Sequence, residues 1–93
     1  MHGSPKRFVY ILRSQTAPSR HYVGITSDVS ARLDWHKHGP RGHTVADRPW
    51  SLVVSIEFPS EREAVQFEKY LKSGSGRAFT KRHFGAPNRP STD

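Results

Sequence analysis

Cysteine is absent from this chain of 93 residues, which excludes both a disulfide framework and a zinc site with thiolate ligands. No apolar run approaches the roughly 20 residues that span a bilayer, and the first residues lack the apolar segment of a signal peptide. Acidic residues are few, with 8 Asp and Glu against 15 Lys and Arg. From these absences we expect a cytoplasmic protein that makes no contact with membranes.

Positive charge is abundant. The formal net charge is +7 with histidine neutral, and six histidines add to it below pH ~6.5. A small domain with this balance attracts polyanions over a long range. We therefore expect nucleic acid as the partner. The simpler alternative is a basic surface that serves only solubility.

The length suits one compact domain. We expect residues 7–84 to form it, between a flexible segment 1–6 and a disordered tail 85–93 that has no large apolar side chain. Strands are predicted at 8–12, 21–26 and 50–58, and helices at 28–38, 60–72 and 77–84, with a helical turn at 44–47. This order, ββααβαα, predicts an α+β domain with helices flanking a small three-stranded sheet, antiparallel or mixed.

Two polar side chains lie on the core-facing stripe of the first predicted helix. Arg32 and His36 are four residues apart and share a face, and rotation places His36 between Val29 and Leu33. Polar groups on such a stripe need partners. They are either functional or structural, the latter meaning a core histidine bonded to backbone and an arginine that snorkels to solvent.

A lone carboxylate interrupts the next apolar stripe. Glu68 falls between Ala64, Phe67 and Leu71 in helical projection. A carboxylate there needs a cation, either a metal ion or an arginine. The structural alternative to a metal is an ion pair with Arg32.

Two tyrosines lie on adjacent predicted strands, where simple sheet packing is the ordinary role. Tyr22 belongs to the second strand, which also contains Gly24. Glycine weakens a strand, so its presence indicates the close approach of a backbone or a ligand. Tyr10 belongs to the first strand.

These residues form an ordered set that resembles the GIY-YIG nuclease superfamily. The resemblance is to its small stand-alone bacterial members and to the excision-repair nuclease domain, and it covers roughly residues 7–84. The matching elements are Phe8-Val9-Tyr10, Tyr22-Val23-Gly24, Arg32, His36, the stretch 48–53 and the stretch 68–77. The chain departs from the pattern in having Phe8 for the first glycine, and Ile25 where some members have a lysine that assists deprotonation.

The resemblance implies a metal-dependent endonuclease that hydrolyses phosphodiester bonds, in DNA repair or processing. Glu68 would bind one Mg²⁺ or Mn²⁺ ion, and Arg32 would stabilise charge on the phosphate. Tyr10 and Tyr22 would position or deprotonate the attacking water, with His36 as relay or substitute base. Two other classes stay open: a binding module of the same fold with little or no catalysis, and an adaptor for another protein.

Contacts to nucleic acid are expected from Gly24 and from basic residues outside the ordered set. Those basic residues are Arg41, Lys69, Lys72, Arg77 and Lys81. The segment 73–76 forms either a phosphate-binding nest or a plain turn between helices. A protein partner for substrate targeting is also expected. A zinc site is not, because His36 and His38 point to different faces of the helix.

Overall fold

The computed structural model describes residues 5–39 and 45–85. Its elements are β1 (Arg7–Ser14), β2 (His21–Thr26), α1 (Val29–His38), a 3₁₀ turn (Val45–Asp47), β3 (Trp50–Phe58), α2 (Glu61–Leu71) and α3 (Gly74–Phe84). This confirms the predicted α+β class and element order, with the 3₁₀ turn as the short helical element before β3. The predicted flexible segment 1–6 and tail 85–93 lie largely outside the described residues, as does Arg41.

The sheet has the order β2-β1-β3, and both pairings are antiparallel. Its central strand, β1, is buried on both faces. Because side chains alternate along a strand, Val9 and Ile11 point to one face while Tyr10 and Leu12 point to the other. A single strand therefore separates an apolar core from a second cluster that contains a phenol.

The two faces of the sheet are covered by different helices. On the first, Val9 and Ile11 pack with Ala64 and Leu71 of α2, and aromatic side chains of β3, α2 and α3 surround them. On the second, Tyr10 and Leu12 pack with Trp50, Tyr22 and Leu33, the last of these from α1. Helix α1 thus lies over the face that carries both predicted tyrosines. No helix among the described residues is long and apolar enough to cross a membrane.

Side-chain caps fix where the helices begin. Asp28 accepts a hydrogen bond from the Ala31 amide at the start of α1, and Ser60 caps α2 in the same way. The last helix was predicted to begin at residue 77, which is wrong, because Ser73 accepts from the Gly76 amide and α3 begins at Gly74.

The segment 73–76 is therefore the N-cap and first turn of α3, so the interpretation of a separate turn between helices is wrong. Its close geometry requires glycine. A Cβ on Gly76 would lie 1.8 Å from the carbonyl oxygen of Tyr70 and 2.5 Å from Cα of Leu71. Helices α2 and α3 meet at this point without an intervening side chain.

Candidate active site

Three predicted site residues from three elements meet on the α1 face of the sheet. Tyr10 of β1 and His36 of α1 form a hydrogen bond, with 3.0 Å between the tyrosine oxygen and Nε2. Tyr22 of β2 lies beside both: its ring centroid is 4.9 Å from that of His36 and 6.2 Å from that of Tyr10. We call Tyr10, Tyr22 and His36 the phenol–imidazole cluster.

His36 is the buried member that holds the cluster to α1, with 1% of its surface exposed. The structural alternative for this residue, a histidine bonded to backbone, does not describe its Nε2, which bonds the Tyr10 hydroxyl. A hydroxyl can donate to or accept from an imidazole nitrogen, so this bond orients the ring in either tautomer of the histidine.

Arg48 fixes the end of the helix that carries His36, and the sequence analysis assigned it no role. Its Nε donates to the carbonyl oxygen of His36 at 2.7 Å, and its Nη2 donates to that of Gly39 at 2.5 Å. The last carbonyls of a helix have no partner inside the helix, and a cation is favoured there. A charged residue two positions before the buried Trp50 was the available signal, but its contacts depend on tertiary structure.

Tyr10 keeps its proton at neutral pH. Burial raises the pKa of its phenol well above the ordinary value of 10.0, and the neighbouring Tyr22 phenol acts in the same direction. The positive charge of Arg32 opposes this shift only in part. Tyr10 is therefore a neutral hydrogen-bonding partner of His36 in this structure and not a base.

Gly24 provides the space that the Tyr10 ring occupies. The two residues are paired across β1 and β2. A Cβ on Gly24 would lie 2.4 Å from the hydroxyl oxygen of Tyr10 and 2.5 Å from its Cζ. The close approach predicted at this glycine is thus made by a phenol of the protein itself, and a contact between Gly24 and nucleic acid stays a prediction.

Arg32 lies on the exposed side of α1, whereas Glu68, its predicted alternative partner, belongs to α2 on the other face of the sheet. Its guanidinium carbon is 5.5 Å from the ring centroid of Trp35, and that ring contacts His36 edge-on at 5.2 Å. The Trp35 ring therefore lies between Arg32 and the cluster. The charge of Arg32 is still close enough to lower the pKa of Tyr10.

Glu68 is not in the phenol–imidazole cluster. It belongs to α2, which packs on the opposite face of the sheet, and its side chain is 16% exposed. The cation that its position requires is Lys72, one helical turn further on, and not Arg32. In the part of the chain that the structure describes, no three acidic or histidine side chains form a group that could hold a metal ion.

An open groove of about 700 Å³ lies between Tyr22 of the cluster, the end of α2 and one side of α3. Tyr22 lines this groove, so it is the cluster member that a bound molecule can reach there. Three of the predicted nucleic-acid contacts also line it: Lys72, Arg77 and Lys81. Lys69 is exposed on α2 but does not line the groove.

The arrangement combines anion binding with a means of moving a proton. The groove supplies positive charge beside Tyr22, and Tyr22 contacts the imidazole of His36. A phosphate in the groove would bring the bonds of a nucleic acid next to Tyr22, whose ring lies beside both His36 and Tyr10. This chemistry suits transfer or hydrolysis of a phosphodiester.

The chain is similar in sequence to known nucleases. The family model described as the GIY-YIG catalytic domain matches residues 6–82. The chain is 37% identical over 83 residues to the structure-specific endonuclease subunit slx1 of Talaromyces stipitatus, covering 83% of this chain and 20% of that protein. It is 42% identical over 82 residues to the subunit SLX1 of Candida dubliniensis, covering 81% and 27%.

A solved structure is similar over nearly its whole length. The solution structure of the UPF0213 protein BH0048 from Bacillus halodurans aligns with a TM-score of 0.52 and 29% identity, and the alignment covers 88% of each chain. The fungal proteins differ from it in size, since this chain spans only 20% and 27% of their lengths.

Proposed function

This chain belongs to the GIY-YIG family, and from that premise we propose that it is a metal-dependent endonuclease that hydrolyses phosphodiester bonds in nucleic acid, with DNA as the expected substrate. The observation that carries the proposal is the phenol–imidazole cluster, in which three elements bring Tyr10, Tyr22 and His36 into contact. Simple sheet packing of two tyrosines would not require a buried histidine bonded to one of them.

Within this proposal Tyr22 activates or positions the attacking water. It is the phenol that lines the basic groove, whereas Tyr10 is 2% exposed and its raised pKa keeps it protonated. His36 contacts Tyr22 and is oriented by its bond to Tyr10, so its imidazole is the group that would take up the proton released at Tyr22. Arg32 stabilises charge on the phosphate, for which its planar fork of donors is suited.

Nucleases of this family use a divalent metal in general, and Glu68 is the residue that would hold it here. Its partly buried carboxylate already binds one cation, the Lys72 ammonium. Mg²⁺ keeps much of its hydration, so a single carboxylate together with water and phosphate oxygens is a suitable ligand set for Mg²⁺ or Mn²⁺. When bound, the metal supplies stabilisation of charge on the leaving oxygen.

The ion pair gives Lys72 a second role. Its ammonium would have to leave Glu68 when a metal binds there. Lys72 also lines the groove, where a backbone phosphate offers an alternative anion. Substrate binding in the groove would therefore free Glu68 for the metal.

The position of Glu68 also favours a second candidate function. Glu68 is paired with a lysine and carried by the helix on the opposite face from the cluster. A chain that stayed in this arrangement would bind nucleic acid without cutting it. The matched curated relatives are named subunits, so we also propose that a protein partner assists substrate targeting.

One cleavage panel separates these functions. End-labelled DNA and RNA, as single strands, duplexes and branched duplexes, are incubated with the full chain in Mg²⁺, Mn²⁺ or EDTA. Tyr22→Phe deletes only the hydroxyl at the groove. Its matched control is Tyr70→Phe, since Tyr70 lies on α2 outside both the cluster and the groove and is 40% exposed.

The proposed endonuclease cleaves in Mg²⁺ or Mn²⁺ and not in EDTA. It loses most activity in Tyr22→Phe and keeps it in Tyr70→Phe. Binding without cleavage under all conditions supports the binding module instead. Cleavage that survives EDTA, or that is unchanged in Tyr22→Phe, contradicts the mechanism.

A further inference from the structure

Trp35 is a large aromatic side chain that the fold leaves open to solvent. It is 38% exposed, whereas the other tryptophan, Trp50, is 7% exposed. Trp35 lies directly before His36 on α1 and belongs to neither buried cluster. Core packing therefore does not explain a tryptophan at this position, and surface aromatic side chains are the groups on which unpaired bases stack.

The indole is held in a fixed orientation. Its ring meets His36 edge-on, with an interplanar angle of 83°. The Arg32 guanidinium lies 5.5 Å from the ring centroid. A Cβ on Gly39 would lie 3.1 Å from both Cε2 and Nε1 of Trp35, so the glycine lets the ring lie against the end of the helix. A ring fixed in this way loses little freedom when a ligand stacks on it.

Trp35 and Arg32 line a depression of about 400 Å³, which we call the Trp35 surface. Its lining residues are Thr26, Asp28, Ala31, Arg32 and Trp35. It offers an aromatic ring, a guanidinium and a carboxylate. The Asp28 carboxylate repels phosphate, while Arg32 attracts it, so a nucleotide with its base on Trp35 would place its phosphate near Arg32 and away from Asp28.

We propose that the Trp35 surface stacks one unpaired base of the nucleic acid beside the phosphodiester that the cluster acts on. A base inside an uninterrupted duplex has both faces covered by its neighbours, and only an unpaired or extruded base presents a face to the indole. This inference rests on the proposed function for the identity of the ligand, but not on cleavage.

Binding measurements in EDTA test it without any need for catalysis. Affinities are measured by fluorescence anisotropy for a blunt duplex, for the same duplex with a short single-stranded extension, and for that extension with its unpaired bases made abasic. Abasic sites keep the phosphates and remove the rings. The proteins are the wild type, Trp35→Ala, Trp35→Phe and the control Leu52→Ala, whose exposed apolar side chain lies on β3.

We expect Trp35→Ala to bind the extended duplex about 5- to 150-fold more weakly, the range for losing one base–aromatic stack. Trp35→Phe loses less, and Leu52→Ala loses nothing. Abasic substitution weakens the wild type by a similar factor and leaves Trp35→Ala unchanged. The blunt duplex is bound equally by all four proteins, and their melting temperatures show that each is folded.

Three results overturn the inference. The first is an unchanged affinity of Trp35→Ala for the extended duplex. The second is an equal loss on the blunt and extended duplexes, which makes Trp35 a general contact, and the third is an absence of binding to any of the three. A dependence on Trp35 without cleavage in Mg²⁺ keeps this inference and removes the endonuclease. Cleavage that ignores Trp35 does the reverse.

Discussion

Replacing Gly24 by alanine adds a single methyl group where the structure has no room for it. The new Cβ would lie 2.4 Å from the hydroxyl oxygen of Tyr10, 2.5 Å from its Cζ and 2.8 Å from its Cε1. Favourable contacts between carbon atoms begin near 3.5 Å. The ring cannot withdraw easily, because it is buried and its hydroxyl is bonded to His36. Either the strands or the cluster must shift.

Extra methyl groups in packed cores cost about 1–3 kcal/mol. Exchange of glycine for alanine returns about 0.4–1 kcal/mol, because the unfolded chain loses freedom. The new Cβ would make three short contacts with one rigid ring, so we expect a packing cost near the upper end of the range of about 1–3 kcal/mol. After the gain from the unfolded chain is subtracted, the free energy of unfolding should fall by about 2 kcal/mol. For a domain of this size the melting temperature then falls by roughly 8–16 °C. Cleavage falls further than the folded fraction, because Tyr10 is displaced from His36.

Thermal unfolding followed by circular dichroism measures the effect. Gly74→Ala is the matched control, because a Cβ there meets nothing within 4 Å. Tyr10→Leu removes the atoms that the new Cβ would contact. Gly24→Ala should therefore lower the melting temperature of Tyr10→Leu much less than it lowers that of the wild type. A melting temperature within about 2 °C of wild type, or an equal loss in the Tyr10→Leu background, would refute the packing argument.

Four further outcomes follow from the site. Arg48→Met removes two charge-assisted hydrogen bonds to the end of α1, each worth about 1.5–3 kcal/mol. The melting temperature should therefore fall. If the single-turnover rate of the folded variant equals that of the wild type, Arg48 has only a structural role. Because the pKa of Tyr10 is raised in the folded state, its contribution to stability is complete below about pH 10 and is lost as pH rises through the higher folded value. Denaturant titrations should show that the difference in unfolding free energy between wild type and Tyr10→Phe shrinks only above about pH 10. A difference that stays constant with pH contradicts the raised pKa. Glu68→Gln should abolish cleavage and keep substrate binding, and wild-type cleavage by this variant removes the metal assignment. Arg32→Ala should lower turnover about 10²-fold or more with a modest loss of affinity, whereas activity that falls only with the folded fraction makes Arg32 structural.

Local patterns in the sequence were enough to place the elements that build the cluster. The β-branched and aromatic run of β1 predicted a strand that contains Tyr10, and the helical stripe of α1 put His36 at a core-facing position, where a polar group needs a partner. The patterns could not show that the two are partners of each other, since 26 residues separate them. Only the resemblance to the nuclease family joined them before the structure did.

Misplaced or missed features have specific causes. The glycines of the segment 73–76 suggested a break, yet Ser73 caps a helix that includes them. The partner of Glu68 was sought across the fold, although Lys72 at the favourable i,i+4 spacing was the simpler choice. The contacts of Arg48 join it to backbone carbonyls 9 and 12 residues earlier, and no side-chain pattern encodes a backbone carbonyl as a partner.

The division of labour along the chain has a consequence for how such a domain can diversify. The phenol–imidazole cluster comes entirely from β1, β2 and α1, while the groove cations come from the end of α2 and from α3. Substitutions in α2 and α3 can change the charge of the groove without changing the geometry of the phenol–imidazole cluster. Tyr22 alone belongs to both, so it is the position at which a change of ligand and a change of chemistry must evolve together.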